Sequence, residues 1–219
     1  MIMLVKIDEA HYRAAHPLVV NEKDGSVMIE VPAGEFEMGE ERLNTSQRVY
    51  LDRYWIGIYC VSNRQYEQFV EETGHRAPNN NYWDKGYCAN DPVAHVSMDD
   101  AVAYTKWVGC ELPTEAQWEK AARGLKGFVY PWGNEWDAKK CRNNKPEAYE
   151  PTSVVWGYPG GASAYGTYNQ SGNVFEWCAD WWGGEKVIRG AWKESVGHRC
   201  CRSYWHRAND LGFRIARRF

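Results

Sequence analysis

Residues 124–184 constrain the fold most, because no helical period of apolar residues runs through them. Gly, Pro, Asn and aromatic residues dominate this stretch, and such residues favour turns, loops and short strands. Where loop backbone is buried, side chains or ions must satisfy its polar groups. The chain of 219 residues also carries 12 Trp, 14 Tyr and 6 Phe. This aromatic content excludes a coiled coil or a disordered chain and favours a compact fold with many loops or a large binding surface.

Three capping boxes predict three short helices in the first part of the chain. In each box a Ser or Thr is followed three residues later by Gln or Asp. The pairs are Ser62 with Gln65, Ser97 with Asp100, and Thr114 with Gln117. The predicted helices stop at Gly74, Gly109 and Gly124. Each helix has only about three turns, so packing against other elements must stabilise it.

Alternating apolar residues predict strands on either side of these helices. Residues 27–31 alternate, and the Asp24-Gly25 turn before them predicts a hairpin with residues 18–20. Residues 54–61 form a second strand-like run.

The last strand is predicted at residues 211–217, with Phe213 and Ile215 facing inward and Arg214 facing outward. The chain has no repeat and no linker, so one domain is expected. Its predicted boundaries are 27–219, with residues 1–26 as an N-terminal extension packed on the domain.

The charge is unevenly spread along the chain. The net charge is −3, with a pI near 6.1. Residues 187–219 carry eight Lys or Arg against two acidic residues, or +6, which leaves −9 for the remainder. The basic and aromatic end of the chain makes nucleic-acid binding one alternative, but the acidic remainder makes it an unfavourable one.

Compartment and cysteine chemistry are also constrained by the sequence. No apolar run approaches the roughly 20 residues that span a bilayer, and no signal peptide is recognisable. We therefore expect a cytoplasmic protein without a membrane span. The seven Cys show no CxxC spacing, which disfavours a zinc site. Buried free thiols are expected, with one or two disulfides as the alternative.

Six segments, taken in order, resemble the formylglycine-generating-enzyme domain family, also called the sulfatase-modifying factor family. They are residues 31–39, 92–101, 112–124, 130–135, 171–178 and 211–214. The resemblance implies an α+β architecture, namely the formylglycine-enzyme variant of the C-type lectin fold, with few short helices, short strands and much irregular loop. It implies less about chemistry, because function belongs to sites rather than to folds.

The resemblance raises the question of catalysis. Enzymes of the family oxidise a substrate cysteine with O₂, using copper held by two cysteines that follow an Arg-Gly-Gly-Ser-like strand. Here residues 188–192 read Ile-Arg-Gly-Ala-Trp, and residues 193–199 contain no Cys. Cys200 resembles the family's structural cysteine, and adjacent thiols such as Cys200 and Cys201 are poorly placed to take opposite positions on Cu(I). The sequence therefore predicts that the chain is not an enzyme and holds no copper, with a copper-dependent cysteine oxidase as the alternative.

A second resemblance is to the variable proteins of diversity-generating retroelements, which share the C-type lectin fold. Their variable residues lie near the end of the chain and precede a Gly-Phe-Arg strand. Residues 192–210 occupy that place here, just before 211–214. This resemblance implies a ligand-binding protein whose partner is an unknown protein or cell-surface ligand. It also makes a virion-associated protein the alternative to a cytoplasmic one. The predicted ligand-binding residues are Trp192, Lys193, Glu194, His198, Arg202, Ser203, Tyr204, Trp205, His206 and Arg207.

One metal site is implied by the formylglycine-enzyme resemblance. Asn169 and Glu176 would contribute side chains, and Gly172 and Val174 would contribute carbonyl oxygens. A set of oxygen ligands suits Ca²⁺. The alternative is that Asn169 and Glu176 hold this loop by hydrogen bonds alone.

Overall fold

The computed structural model describes residues 16–40, 45–79, 88–143, 152–190 and 194–219. Three α-helices lie in the first part of the chain: α1 (Asn63–Thr73), α2 (Met98–Trp107) and α3 (Glu115–Arg123). The early strands are β1 (Leu18–Val20), β2 (Val27–Val31), β3 (Gly34–Met38), β4 (Gln47–Leu51) and β5 (Tyr54–Gly57). The later strands are β6 (Phe175–Trp182), β7 (Glu185–Arg189), β8 (Cys200–Arg202), β9 (Leu211–Gly212) and β10 (Ala216–Arg218). None of the described helices is long and apolar enough to span a membrane.

All three predicted capping boxes are confirmed. In each, the Ser or Thr side chain accepts from the backbone of the third helical residue, and that residue's side chain accepts from the cap backbone. Gly74 ends α1 in the left-handed conformation, at φ 70°. These caps satisfy amides that the first turn of a helix leaves without partners.

The strands form two four-stranded sheets and one hairpin. The first sheet has the order β1-β2-β5-β10 and is antiparallel throughout, the hairpin is β3-β4, and the second sheet has the order β8-β7-β6-β9. The predicted hairpin between residues 18–20 and 27–31 is confirmed, with Leu18 opposite Ile29.

Apolar side chains cover both faces of β2. Met28 packs with Tyr66 of α1 and Tyr104 of α2. The neighbouring Ile29 packs on the other side with Ile56 and Ala121. The first sheet therefore lies between the α1–α2 layer and the layer containing α3.

The prediction of one continuous strand at 211–217 is wrong. β9 pairs in parallel with β6 of the second sheet, whereas β10 pairs with β5 of the first. The intervening residues cross from one sheet to the other, and Phe213, Arg214 and Ile215 are all buried. Because both sides of this crossing are covered, Arg214 faces inward rather than toward solvent.

Arg214 connects the two sheets. Its guanidinium contacts both carboxylate oxygens of Glu176 on β6, at 2.5 and 2.7 Å. It also donates to the carbonyl oxygen of Gly57 on β5 at 3.0 Å and to that of Tyr168 at 2.7 Å. Both charged side chains are fully buried. Such a pair is tolerated only when the remaining donors and acceptors are also satisfied.

We predict that Arg214→Met destabilises the chain by about 3–5 kcal/mol, because Glu176 would remain buried without its partner. The matched control is Arg218→Met, which removes an exposed ion pair to Glu111 at 3.5 Å and should cost under about 1 kcal/mol. Denaturant unfolding of both variants measures the difference. Equal losses in the two variants would show that the buried pair does not hold the sheets together.

Candidate functional site

The predicted ligand-binding residues are exposed or half-buried wherever the structure describes them. Trp192 and Lys193 are outside the described residues. Of the other eight, four are exposed: Glu194, Arg202, Tyr204 and Trp205. The remaining four are half-buried: His198, Ser203, His206 and Arg207. The neighbouring Ser195 and Val196 are buried, so the segment is anchored at its start.

An aromatic patch, defined here as Trp181, Tyr204 and Trp205, forms the centre of this surface. The ring centroids of Trp181 and Tyr204 are 6.3 Å apart, and those of Tyr204 and Trp205 are 4.9 Å apart. The three side chains are 56%, 41% and 62% exposed, respectively. Both ring contacts are edge-to-face, a geometry that aromatic quadrupoles favour.

Sequence reasoning missed the contribution of β6 to this surface. Trp181 and Trp182 precede Gly183 and Gly184, the turn that joins β6 to β7. Trp182 is 59% exposed. Two consecutive Trp before a Gly-Gly turn place one large ring on each face of a hairpin end, and this signal was visible in the sequence.

Cross-strand register determines which side chains accompany each Trp. Trp181 lies opposite Lys186, and Lys186 lies opposite Arg202. Directly opposite residues share a face, so these three side chains form one row. The Lys186 ammonium lies 4.4 Å from the Trp181 ring centroid.

Trp182 is supported on the other face by Arg199. The Arg199 guanidinium lies 4.0 Å from the Trp182 ring centroid. Glu115 at the start of α3 accepts from Arg199 at 2.5 and 2.8 Å, and these bonds raise the pKa of Arg199. Glu115 also accepts from the buried Arg189 at 2.9 Å. The exposed Trp182 ring therefore packs on the Arg199 guanidinium, which Glu115 holds in place.

The turn that carries Tyr204 and Trp205 is pinned to the loop before α2. The carbonyl oxygen of Tyr204 accepts from the backbone N–H of Met98 at 3.0 Å, and that of Ala208 accepts from the N–H of His95 at 2.9 Å. Both bonds involve only backbone atoms. The backbone of the turn is thus fixed without using the Tyr204 or Trp205 side chains.

Arg207 adds a side-chain attachment at the same place. It donates to Asp100 at 3.1 Å and to the Ser97 hydroxyl at 3.1 Å. Burial opposes ionisation of Asp100, but hydrogen bonds from Ser97, Arg76 and His75 outweigh it and lower the Asp100 pKa. Arg207 is thus engaged within the protein, whereas Arg202 extends to solvent.

The cysteines of β8 do not fit a two-thiolate copper site. Cys200 lies opposite Ile188 and Cys201 opposite Val187, so their side chains point to opposite faces of the sheet. Burial raises the pKa of both thiols. Within the described ranges, no group of three or more His, Cys, Asp or Glu could hold a metal ion.

The residues implied for calcium are all buried: Asn169, Gly172 and Val174 lie in the loop before β6, and Glu176 lies on β6 itself. Both Glu176 oxygens already accept from Arg214, and one also accepts from the Trp118 indole at 2.8 Å. The Asn169 amide donates to the Val155 carbonyl oxygen at 2.7 Å. A calcium ion would need the place beside the Glu176 carboxylate that the Arg214 guanidinium already occupies. Calcium binding remains a prediction, and this geometry supports the alternative of a loop held by hydrogen bonds.

Gly172 shows how tightly this loop is packed. Its φ is +90°, and a Cβ there would lie 2.3 Å from the Arg142 carbonyl oxygen. Its N–H donates to the carbonyl oxygen of Gly190 at 3.0 Å. Only glycine allows both the left-handed backbone and this close approach.

We predict that Glu176→Gln lowers stability by about 3–5 kcal/mol, equally in calcium and in chelator, because Arg214 loses its counter-charge. Glu111→Gln, at the exposed partner of Arg218, is the control. Thermal melts of each variant in both buffers give the measurement. A calcium ligand would behave differently: chelator would lower the wild-type melting temperature, and Glu176→Gln would abolish that difference.

Comparison with known proteins bears on both fold and family. The family model described as a sulfatase-modifying factor enzyme 1-like domain matches residues 15–219. A formylglycine-generating enzyme from Thermomonospora curvata is 35% identical over 216 residues, covering 71% of each chain. Among solved structures, PvdO from Pseudomonas aeruginosa has a TM-score of 0.78 at 23% identity and covers 93% of this chain and 98% of its own.

A second solved structure has nearly the same similarity. Treponema denticola variable protein 1 has a TM-score of 0.77 at 21% identity, covering 93% of this chain and 99% of its own. At these identities the structural matches establish the fold alone. The predicted α+β fold of the formylglycine-enzyme, C-type lectin type is confirmed.

The prediction that the chain is not an enzyme is contradicted by these relatives. Proteins named formylglycine-generating enzymes match it, one at 35% identity, and the family includes enzymes. That prediction rested mainly on the missing cysteine pair, and the absence of one cofactor motif does not exclude other chemistry on the same scaffold. The match across residues 15–219 shows that the chain belongs to the sulfatase-modifying factor enzyme 1-like domain family.

Proposed function

We propose that the chain binds a ligand through the aromatic patch, in a surface whose side chains in residues 192–210 vary between related genes. The observation that carries the proposal is the grouping of exposed aromatic side chains. Among the described residues, Trp181, Trp182, Tyr204 and Trp205 are all exposed at this end of the second sheet, and only Tyr50 and Phe219 are exposed aromatics elsewhere.

The chemistry of this surface suits a protein partner. Trp, Tyr and Arg dominate the energetics of protein interfaces. Rigid aromatic side chains offer much contact area at a low cost in conformational entropy. Treponema denticola variable protein 1, which shares the fold, bears the name of a variable protein. We therefore assign the ligand to a protein on another cell or particle.

Nucleic acid is a weaker candidate for this surface, because most of the basic charge near the end of the chain is neutralised. Five arginines of residues 187–219 form ion pairs with acidic side chains. They are Arg189, Arg199, Arg207, Arg214 and Arg218. Binding to phosphates depends on unpaired cations that can displace the counterions condensed on the nucleic acid, and few remain here.

The relatives favour a second candidate, formylglycine generation, because the 35% identical protein carries that name. Binding and catalysis are compatible on one fold. Mass spectrometry of a cysteine-containing peptide incubated with the chain under O₂ tests this candidate. A formylglycine product that is lost in Cys200→Ser would support it.

Variation of the segment predicts a genomic signature. A reverse-transcriptase gene and a near-copy of the codons for residues 192–210 should lie beside this gene. Sequencing the neighbouring DNA provides the measurement. If neither element lies nearby, the proposed diversification of residues 192–210 is wrong. Ligand binding itself is tested separately.

Ligand binding by the aromatic patch is tested with a random peptide library displayed on phage. Peptides enriched on the chain should compete for one site. Their affinity should fall at least about tenfold for Trp205→Ala and Trp181→Ala, because interface energy concentrates in such residues. Tyr50→Ala on β4, where the ring is 61% exposed, is the matched control and should leave binding unchanged. Peptides that bind all three variants equally would contradict the proposal.

A further inference from the structure

The row formed by Trp181, Lys186 and Arg202 contains two cations directly opposite one another. Like charges at opposite positions of neighbouring strands destabilise a sheet. Among the described residues, Arg202 forms no ion pair, and the hydrogen bond of its guanidinium goes to the carbonyl oxygen of Cys201 at 2.8 Å. Asp180 is the carboxylate whose charge acts on Lys186, so the positive charge that the protein itself leaves without a partner in this row is that of Arg202.

The two cations differ in what they can offer a ligand. Lys186 is only 8% exposed, and its ammonium donates to the carbonyl oxygen of Ala179 at 2.7 Å. Burial lowers its pKa. Arg202 is exposed at the edge strand β8 and keeps most of its donors toward solvent. Lys186 therefore supplies a fixed positive field, and Arg202 supplies the donors that could contact a ligand.

We propose that the aromatic patch recognises an acidic side chain of its protein partner, with the carboxylate bound by Arg202 and flanked by Trp181 and Tyr204. This inference rests on the proposed function and names the chemistry of the partner. A planar guanidinium can bind a carboxylate through two parallel hydrogen bonds. The aromatic rings beside it would exclude water, and a less polar surrounding strengthens an ion pair.

A single carboxylate fits this surface better than a polyanion. Arg199 and Arg207, the nearest other arginines of the segment, already pair with Glu115 and Asp100. Glu185 lies opposite Trp182, on the other face of the hairpin from Arg202, and accepts from the Ser203 hydroxyl at 3.3 Å. One available guanidinium suits one acidic group among apolar neighbours, because successive phosphates would find no further unpaired arginine of the segment to bind.

Charge reversal tests the inference. The random peptide library is selected in parallel on the wild type and on Arg202→Glu. Peptides from the wild type should be enriched in Asp or Glu and should lose at least about tenfold in affinity on Arg202→Glu. Peptides selected on Arg202→Glu should be enriched in Lys or Arg instead. Arg218→Glu reverses another exposed charge, on the other four-stranded sheet, and should leave the selection acidic.

The outcomes separate this inference from the proposed function. Peptides that depend on Trp205 and Trp181 but show no acidic preference would overturn the inference and leave the proposed function standing. Peptides that depend on neither Trp would overturn both. Melting curves verify that Arg202→Glu is folded, and Arg202→Gln, which removes the charge without reversing it, should abolish the acidic preference if the reversed variant proves unstable.

Discussion

The buried ion pair between Arg214 and Glu176 is the interaction on which the rest of the architecture depends. One guanidinium reaches β5, β6 and the loop at Tyr168, so a single side chain sets the spacing of two sheets. Removing two charges from water is unfavourable, and the loss is offset only if every donor finds an acceptor. The loop-rich second half of the chain has few helices to order it. The Tyr168 carbonyl oxygen from that half and the Gly57 carbonyl oxygen from β5 serve as the acceptors that this pair requires.

A second set of buried charges extends the same principle toward the surface. On α3, Glu119 accepts from Arg123 at 2.7 Å and also pairs with Arg189. Arg189 in turn contacts Glu115, which holds Arg199 beneath Trp182. A continuous series of ion pairs therefore connects the exposed Trp182 ring to buried charges in the core. Many of the arginines near the end of the chain pair with carboxylates of the protein itself, so they are not available to attract a polyanion.

Local rules predicted the helices and the first hairpin because the deciding contacts lie within a few residues of each other. The capping boxes span three residues, and the Asp24-Gly25 turn brings its own strands together. The prediction for the last strand was wrong for the opposite reason, because its deciding contacts are distant in the sequence. Alternation at 211–217 cannot reveal that the segment leaves one sheet for another, and the inward position of Arg214 depends on Glu176, 38 residues away. The sequence prediction missed Trp181 because it considered residues 192–210 without the β6–β7 hairpin, whose strand β7 pairs with β8 of that segment.

The pinning of the turn at Tyr204 to α2 has a consequence for how this surface can change. The N–H groups of Met98 and His95 donate to backbone carbonyl oxygens of the turn, so these hydrogen bonds do not depend on which side chains the turn carries. Substitutions at positions 204 and 205 should therefore alter recognition while leaving the free energy of unfolding nearly constant. Most proteins lie only slightly above the stability they need, so new binding surfaces are often lost to misfolding before they can be selected. A scaffold that separates the two properties allows many alternative surfaces to be sampled by chains that all remain folded.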